Sequence, residues 1–115
     1  MRRGDIVAVT LDPVRGSEAG RTRPAVIISN DAANTTATRL GRGVVTVVPV
    51  TSSVARVYPF QVLLPASQTG LSRDSKAQAE QVRSVAVEQI GRTMGRLPAS
   101  VMAELEQALR LHLDL

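Results

Sequence analysis

Strand-like for its first two-thirds and closed by one amphipathic helix, the sequence predicts a single α+β domain. Short runs of β-branched residues recur between Gly, Pro and Asn/Asp punctuation as far as Val85. Beyond Pro98 the apolar positions change to helical spacing. A length of 115 residues, 43% of them hydrophobic and 21% charged, supplies one core but not two.

Asp5 to Leu11 (DIVAVTL) reads as the first strand and stops at Asp12-Pro13, because proline cannot donate to a ladder. The next apolar run, Pro24 to Ser29 (PAVIIS), follows only after Pro13 to Arg23, longer than an ordinary hairpin connection and of the kind that often carries function. Asn30-Asp31 is suited to capping a short helical turn before the Thr-rich stretch Asn34 to Thr38. Gly43 to Val50 (GVVTVVPV) reads as the most buried strand, with Pro49 marking an edge or a bulge. Phe60 to Leu64 (FQVLL) alternates in part, Thr69-Gly70 supplies a turn, and Ser75 to Ala79 and Gln81 to Val85 are further short strands. Pro98 opens the closing helix, where Val101, Met102, Leu105, Ala108, Leu109 and His112 share a stripe that leaves out Glu104 and Glu106. His112 near the helix end suits the core margin or the helix dipole better than catalysis. Tyr58 and Phe60 are the only aromatics, too few for a broad stacking platform, and Phe60 is expected to fill the core.

Composition removes much familiar chemistry. Without cysteine there are no disulfides, thiolate metal sites or cysteine nucleophiles, and a single histidine rules out a His-rich metal centre. Neither a Walker loop nor a dinucleotide fingerprint is present; Gly41-Arg42-Gly43 lacks the third glycine. The N-terminus, Met1-Arg2-Arg3-Gly4-Asp5, lacks the apolar h-region of a signal peptide, and no run approaches membrane-spanning length, so a cytoplasmic protein with no membrane partner is expected. The formal charge of +4 is uneven: residues 1–60 hold eight arginines against four acids, whereas residues 61–115 balance. Only Lys76 among the 14 basic residues is not arginine, the side chain whose planar fork matches a phosphate with two hydrogen bonds. A polyanionic partner fits this balance, and so does an ordinary solvated surface.

The stretch RGDIVAVTLDPVRGSEAGRTRPAVIISND, Arg3 to Asp31, resembles the start of the MazF/PemK family of toxin endoribonucleases. VVPVTSS (Val47 to Ser53), YPFQV (Tyr58 to Val62) and AEQVRSV (Ala79 to Val85) resemble further family segments in the same order. The resemblance implies one toxin domain over residues 1–115, an SH3-like, CcdB/PemK-type curled antiparallel β-barrel with a C-terminal helix, assembled as a homodimer. It also implies sequence-specific cleavage of single-stranded RNA without metal or cofactor, and control by a cognate acidic, partly disordered MazE-like antitoxin. Residue by residue, the family's catalytic arginine falls on Arg23, its hydroxyl residue on Thr51 and its loop glutamate on Glu18. Gly16 and Ser17 then join Glu18 in lining the RNA groove, with Ser52, Ser53 and Gln81 as further RNA contacts. Arg15 and Arg21 match no family role.

Metal-free RNA cleavage uses the neighbouring 2′-hydroxyl as nucleophile, and needs a proton acceptor, charge stabilisation at phosphorus and a donor for the leaving 5′-oxygen. Histidine pairs usually move these protons, and one chain has none to offer. Deprotonating a guanidinium at pH 7 costs at least ~7 kcal/mol, so arginine in this role is better suited to gripping the phosphoryl oxygens as charge develops. Thr51 can donate to the same phosphate, while Glu18 either accepts a proton or fixes the loop or Arg23; the general base is unassigned. Taken without the resemblance, Arg23 is equally a solvated strand flank, Thr51 a strand-end hydroxyl and Glu18 a loop charge. Two other functions share such a fold: a CcdB-like toxin that binds gyrase, and a non-catalytic RNA-binding module.

Overall fold

The computed structural model describes residues 1–10 and 22–115. Among these, β1 (Asp5–Thr10), β2 (Thr22–Ile27), β3 (Val44–Thr51), β4 (Gln61–Leu64), β5 (Ser75–Gln78), β6 (Arg83–Ala86) and β7 (Ile90–Arg96) form one antiparallel sheet. The helices are α1 (Asp31–Leu40), α2 (Ala66–Thr69) and α3 (Ala99–Leu113). Along the sheet the order is β4-β5-β3-β2-β1-β7, with β6 pairing β3. The fold is therefore α+β with a C-terminal helix, but the sheet stays open, with β4 and β7 at its two ends. Where a barrel seam would fall, α2 leaves the end of β4 and lays Thr69 against Gly95 of β7.

Both faces of the central strands are buried, which is why these runs are almost continuously apolar rather than alternating. On one face Ile6, Val26 and Val48 lie in register and pack with Val101, Leu105, Ala108 and Leu109 of α3. On the other, Val7, Val9, Ala25, Ile27, Val45 and Val47 pack with Val85 and with Ala37 of α1. Here α1 is a full ten-residue helix, more than the short turn expected from its threonines. The Asn30 side chain accepts from the Ala33 N–H at 2.8 Å at its start, and Gly41 at φ 65° closes it in the left-handed conformation glycine tolerates.

One irregularity shapes the end of the sheet that matters most. β6 faces the first half of β3 (Val44↔Ala86 to Val47↔Arg83) and β5 the second (Val50↔Ala77, Thr51↔Lys76), separated by a 3-10 turn at Ala79–Gln81. Pro49 sits in that gap, opposite Ala25 on its other side but with no strand residue facing it across the interruption. A residue without an N–H is tolerated there.

β7 has no counterpart among the strands expected from sequence. Its run IGRTMGR holds two glycines and two arginines and is partly exposed along its length, as an end strand permits. Gly95 is required by the packing: a Cβ there would collide with the backbone oxygen of Thr69. Gly95→Ala is therefore expected to lower stability by about 1–3 kcal/mol through forced displacement of α2, read as a fall in the midpoint of urea unfolding; Ala at exposed Gly41 would act only through its backbone strain.

Candidate active site

Arg23 and Thr51 come together. The β2–β3 pairing runs from Ile27↔Val47 to Ala25↔Pro49, and Arg23 and Thr51 follow two residues beyond its last pair, each still within its strand. Arg23 is held by β1, opposite Val9, and Thr51 by β5, opposite Lys76, so adjoining strands bring the two residues to one end of the sheet. Both line a cleft of about 230 Å³. Thr22, Arg23 and Pro24 of β2, Val50, Thr51 and Ser52 at the end of β3, Leu71, Ser72, Arg73 and Ser75 from α2 to β5, and Met94 of β7 line it.

The chemistry of these walls is uneven in a telling way. They carry two guanidinium groups and five hydroxyls (Thr22, Thr51, Ser52, Ser72 and Ser75), and no carboxylate or imidazole among the described residues. Arg23 is exposed and Thr51 half-buried. The Thr51 Oγ1 accepts the Ser53 backbone N–H at 3.2 Å, which engages an oxygen lone pair and leaves its hydroxyl proton to donate. An oxyanion placed between Arg23 and Thr51 would meet a fork of N–H donors and an O–H donor at once.

Of the other expected contacts, Ser52 lies on the cleft wall and Ser53 is exposed beside it, holding Thr51. Gln81 is exposed at the end of the 3-10 turn and is not part of the wall. Gly16, Ser17 and Glu18, with Arg15 and Arg21, lie outside the described residues. His112 is exposed in the last turn of α3, away from this cleft. Phe60 does not fill the core as expected: β4 begins only at Gln61, and Phe60 is half-buried, stacked on Tyr58 with ring centroids 5.4 Å apart and planes 1° from parallel. Aliphatic side chains occupy the core instead.

Sequence reasoning missed Arg73. It lines the same cleft as Arg23, from the segment joining α2 to β5, where no periodicity marks it. The backbone around it is held: the Asp74 carboxylate accepts the Ala66 N–H at 2.9 Å at the start of α2, and the Ser75 hydroxyl donates to the Arg73 carbonyl at 3.1 Å.

A larger cleft of about 660 Å³ lies between the N-terminal segment and the start of α3, lined by Arg3, Asp31 and Arg96 among others. Its cations are already paired, Arg3 with Glu106 at 3.0 Å and Arg96 with Asp5 at 2.6 Å. The Arg3 backbone N–H and Asn34 donate to the Asp31 carboxylate and hold it below its usual range. Size favours this cleft as a ligand site, but charge favours the smaller one for an anion, because only there do arginines face no described acid.

Comparison with known proteins agrees with the fold. The family model described as PemK-like, MazF-like toxin of type II toxin-antitoxin system matches residues 2–113. Endoribonuclease MazF9 of Mycobacterium tuberculosis is 66% identical over 115 residues, covering 100% of this chain and 98% of that protein. Endoribonuclease EndoA of Bacillus subtilis is 30% identical over 116 residues, covering 100% and 96%. Among solved structures, the Mycobacterium tuberculosis toxin MazF-mt6 superposes with a TM-score of 0.76 at 25% identity, covering 96% of this chain and 97% of that one. A MazE-MazF structure from Deinococcus radiodurans superposes with a TM-score of 0.75 at 31% identity, covering 100% and 96%.

Proposed function

We propose that this chain, which belongs to the PemK/MazF family of type II toxin-antitoxin toxins and is an endoribonuclease, cuts single-stranded RNA at specific sequences without a metal. The 2′-hydroxyl attacks the adjoining phosphorus, leaving 2′,3′-cyclic phosphate and 5′-hydroxyl ends. The observation that carries this reading is the placement of Arg23 and Thr51 in one cleft whose described lining carries arginines and hydroxyls but no carboxylate.

As the 2′-oxygen closes on phosphorus, negative charge grows on the two non-bridging oxygens. The Arg23 guanidinium holds them with two parallel N–H donors, and the Thr51 hydroxyl donates to one of them, its own oxygen steadied by Ser53. Such donors are already oriented before the reaction, so they stabilise the charged state without a reorganisation cost. Ser52 contacts the same strand of RNA. Glu18, on the segment joining β1 to β2, takes the 2′-hydroxyl proton or holds that loop and Arg23 in place.

The working unit is a homodimer acting in the cytoplasm, where its RNA is found. Its silencing partner is an acidic, partly disordered MazE-like antitoxin; the Deinococcus toxin is seen with MazE, and the net charge of +4 here suits an acidic segment that folds as it binds. Incubation of the pure protein with a long single-stranded RNA in excess EDTA tests the reading. Discrete fragments ending in 2′,3′-cyclic phosphate and 5′-hydroxyl are expected. Intact but gel-shifted RNA, or gyrase inhibition with RNA untouched, would contradict it, and so would fragments bearing 3′-hydroxyl ends.

A further inference from the structure

We infer that Arg73 is a second phosphate-gripping residue of the cleft, one that holds the phosphodiester next to the scissile one and so sets affinity and register rather than rate. The inference rests on reading the Arg23–Thr51 cleft as the place where RNA is cut. Arg73 is exposed, lines the same cleft as Arg23, and has no ion-pair partner among the described residues. Its neighbour in sequence forms no ion pair with it: the Asp74 carboxylate accepts the Ala66 N–H at the start of α2. The Ser75 hydroxyl bonded to the Arg73 carbonyl fixes the backbone that presents it.

Arg23 and Thr51 enter the cleft from β2 and β3, whereas Arg73 enters from a separate segment with Ser72 beside it. Two arginines from separate segments, each with a hydroxyl nearby, match two successive charges on a nucleic-acid backbone. A phosphate contact of this kind orients the strand and carries no base preference of its own.

The test uses an oligoribonucleotide spanning a mapped cleavage site, with 2′-deoxyribose at the scissile position for binding and ribose there for cutting. Arg73→Ala is expected to weaken binding about tenfold. It should make the slope of log affinity against log salt shallower by about 0.7, the release expected for one phosphate of a single strand. The single-turnover rate at saturating enzyme should stay within about threefold of the starting protein. A neutral methylphosphonate at the adjacent linkage should reproduce the loss and add nothing further in Arg73→Ala. Arg42→Ala, which removes an exposed charge beyond the far end of β3, is the control for net charge. An unchanged slope, a change no greater than in Arg42→Ala, or a saturating rate that falls as far as in Arg23→Ala overturns the inference, the last by placing Arg73 on the scissile phosphate. Failure of the underlying reading is separate: Arg23→Ala would then cut normally, whatever Arg73→Ala does to binding.

Discussion

Replacing Arg23 with alanine lowers the single-turnover cleavage rate by about 10²–10³-fold, ~2.7–4 kcal/mol of lost charge stabilisation, and leaves the unfolding midpoint unchanged. The two halves of this expectation come from separate observations. Arg23 is exposed at the open end of β2 and pairs with no described acid, so little stability depends on it. It nevertheless lines the same cleft as Thr51, with no carboxylate among the described lining residues. Arg23→Lys recovers only part of the rate, because an ammonium keeps the charge but loses the two-pronged fork. Stopped-time cleavage with enzyme in excess, beside a thermal melt of each variant, reads both quantities. Normal cutting by Arg23→Ala would remove this side chain from the chemistry.

Replacing one ribose of the substrate has a still larger effect. With 2′-deoxyribose on the 5′ side of the scissile phosphate the attacking oxygen is gone, and cleavage at that linkage falls below detection while binding persists. The same replacement elsewhere along the strand leaves cutting intact. This separates attack from within the RNA from attack by water, since a hydrolase that activates water has no use for the 2′-hydroxyl. Excess EDTA leaves the ribose substrate's rate unchanged in the same experiment. Fragments from the deoxy-substituted linkage would show that another nucleophile is at work.

Most of the sheet was legible in the sequence because its central strands are buried on both faces, and such strands announce themselves as unbroken β-branched runs. DIVAVT, PAVI and VVTVVPV all became strands within two residues of their expected limits. The closing helix was legible from its stripe, of which Val101, Leu105, Ala108 and Leu109 are buried while His112 is exposed. β7 was not, because an end strand needs neither alternation nor high β-propensity, and its Gly95 answers to the neighbouring Thr69 rather than to its own run. The length of α1 was hidden by its threonines; burial of Asn34 and Ala37 against the sheet decided it.

The site was legible only in part. Residue type alone left Arg23 and Thr51 as ordinary surface groups, and the family resemblance singled them out. β2 and β3 lie side by side and bring both residues to one cleft, a long-range arrangement that no local pattern reveals. Arg73 escaped because it reaches that cleft only through the fold of the segment between α2 and β5.

If Arg23 and Thr51 act on one phosphate, their contributions are not independent. Single-turnover rates in EDTA for Arg23→Ala, Thr51→Val and the double variant decide this. The expected result is a double variant scarcely slower than Arg23→Ala alone, since the hydroxyl can do little for an oxyanion the guanidinium no longer positions. Losses that simply multiply would mean the two side chains work at separate places, and the paired-donor cleft would not be the centre of this chemistry.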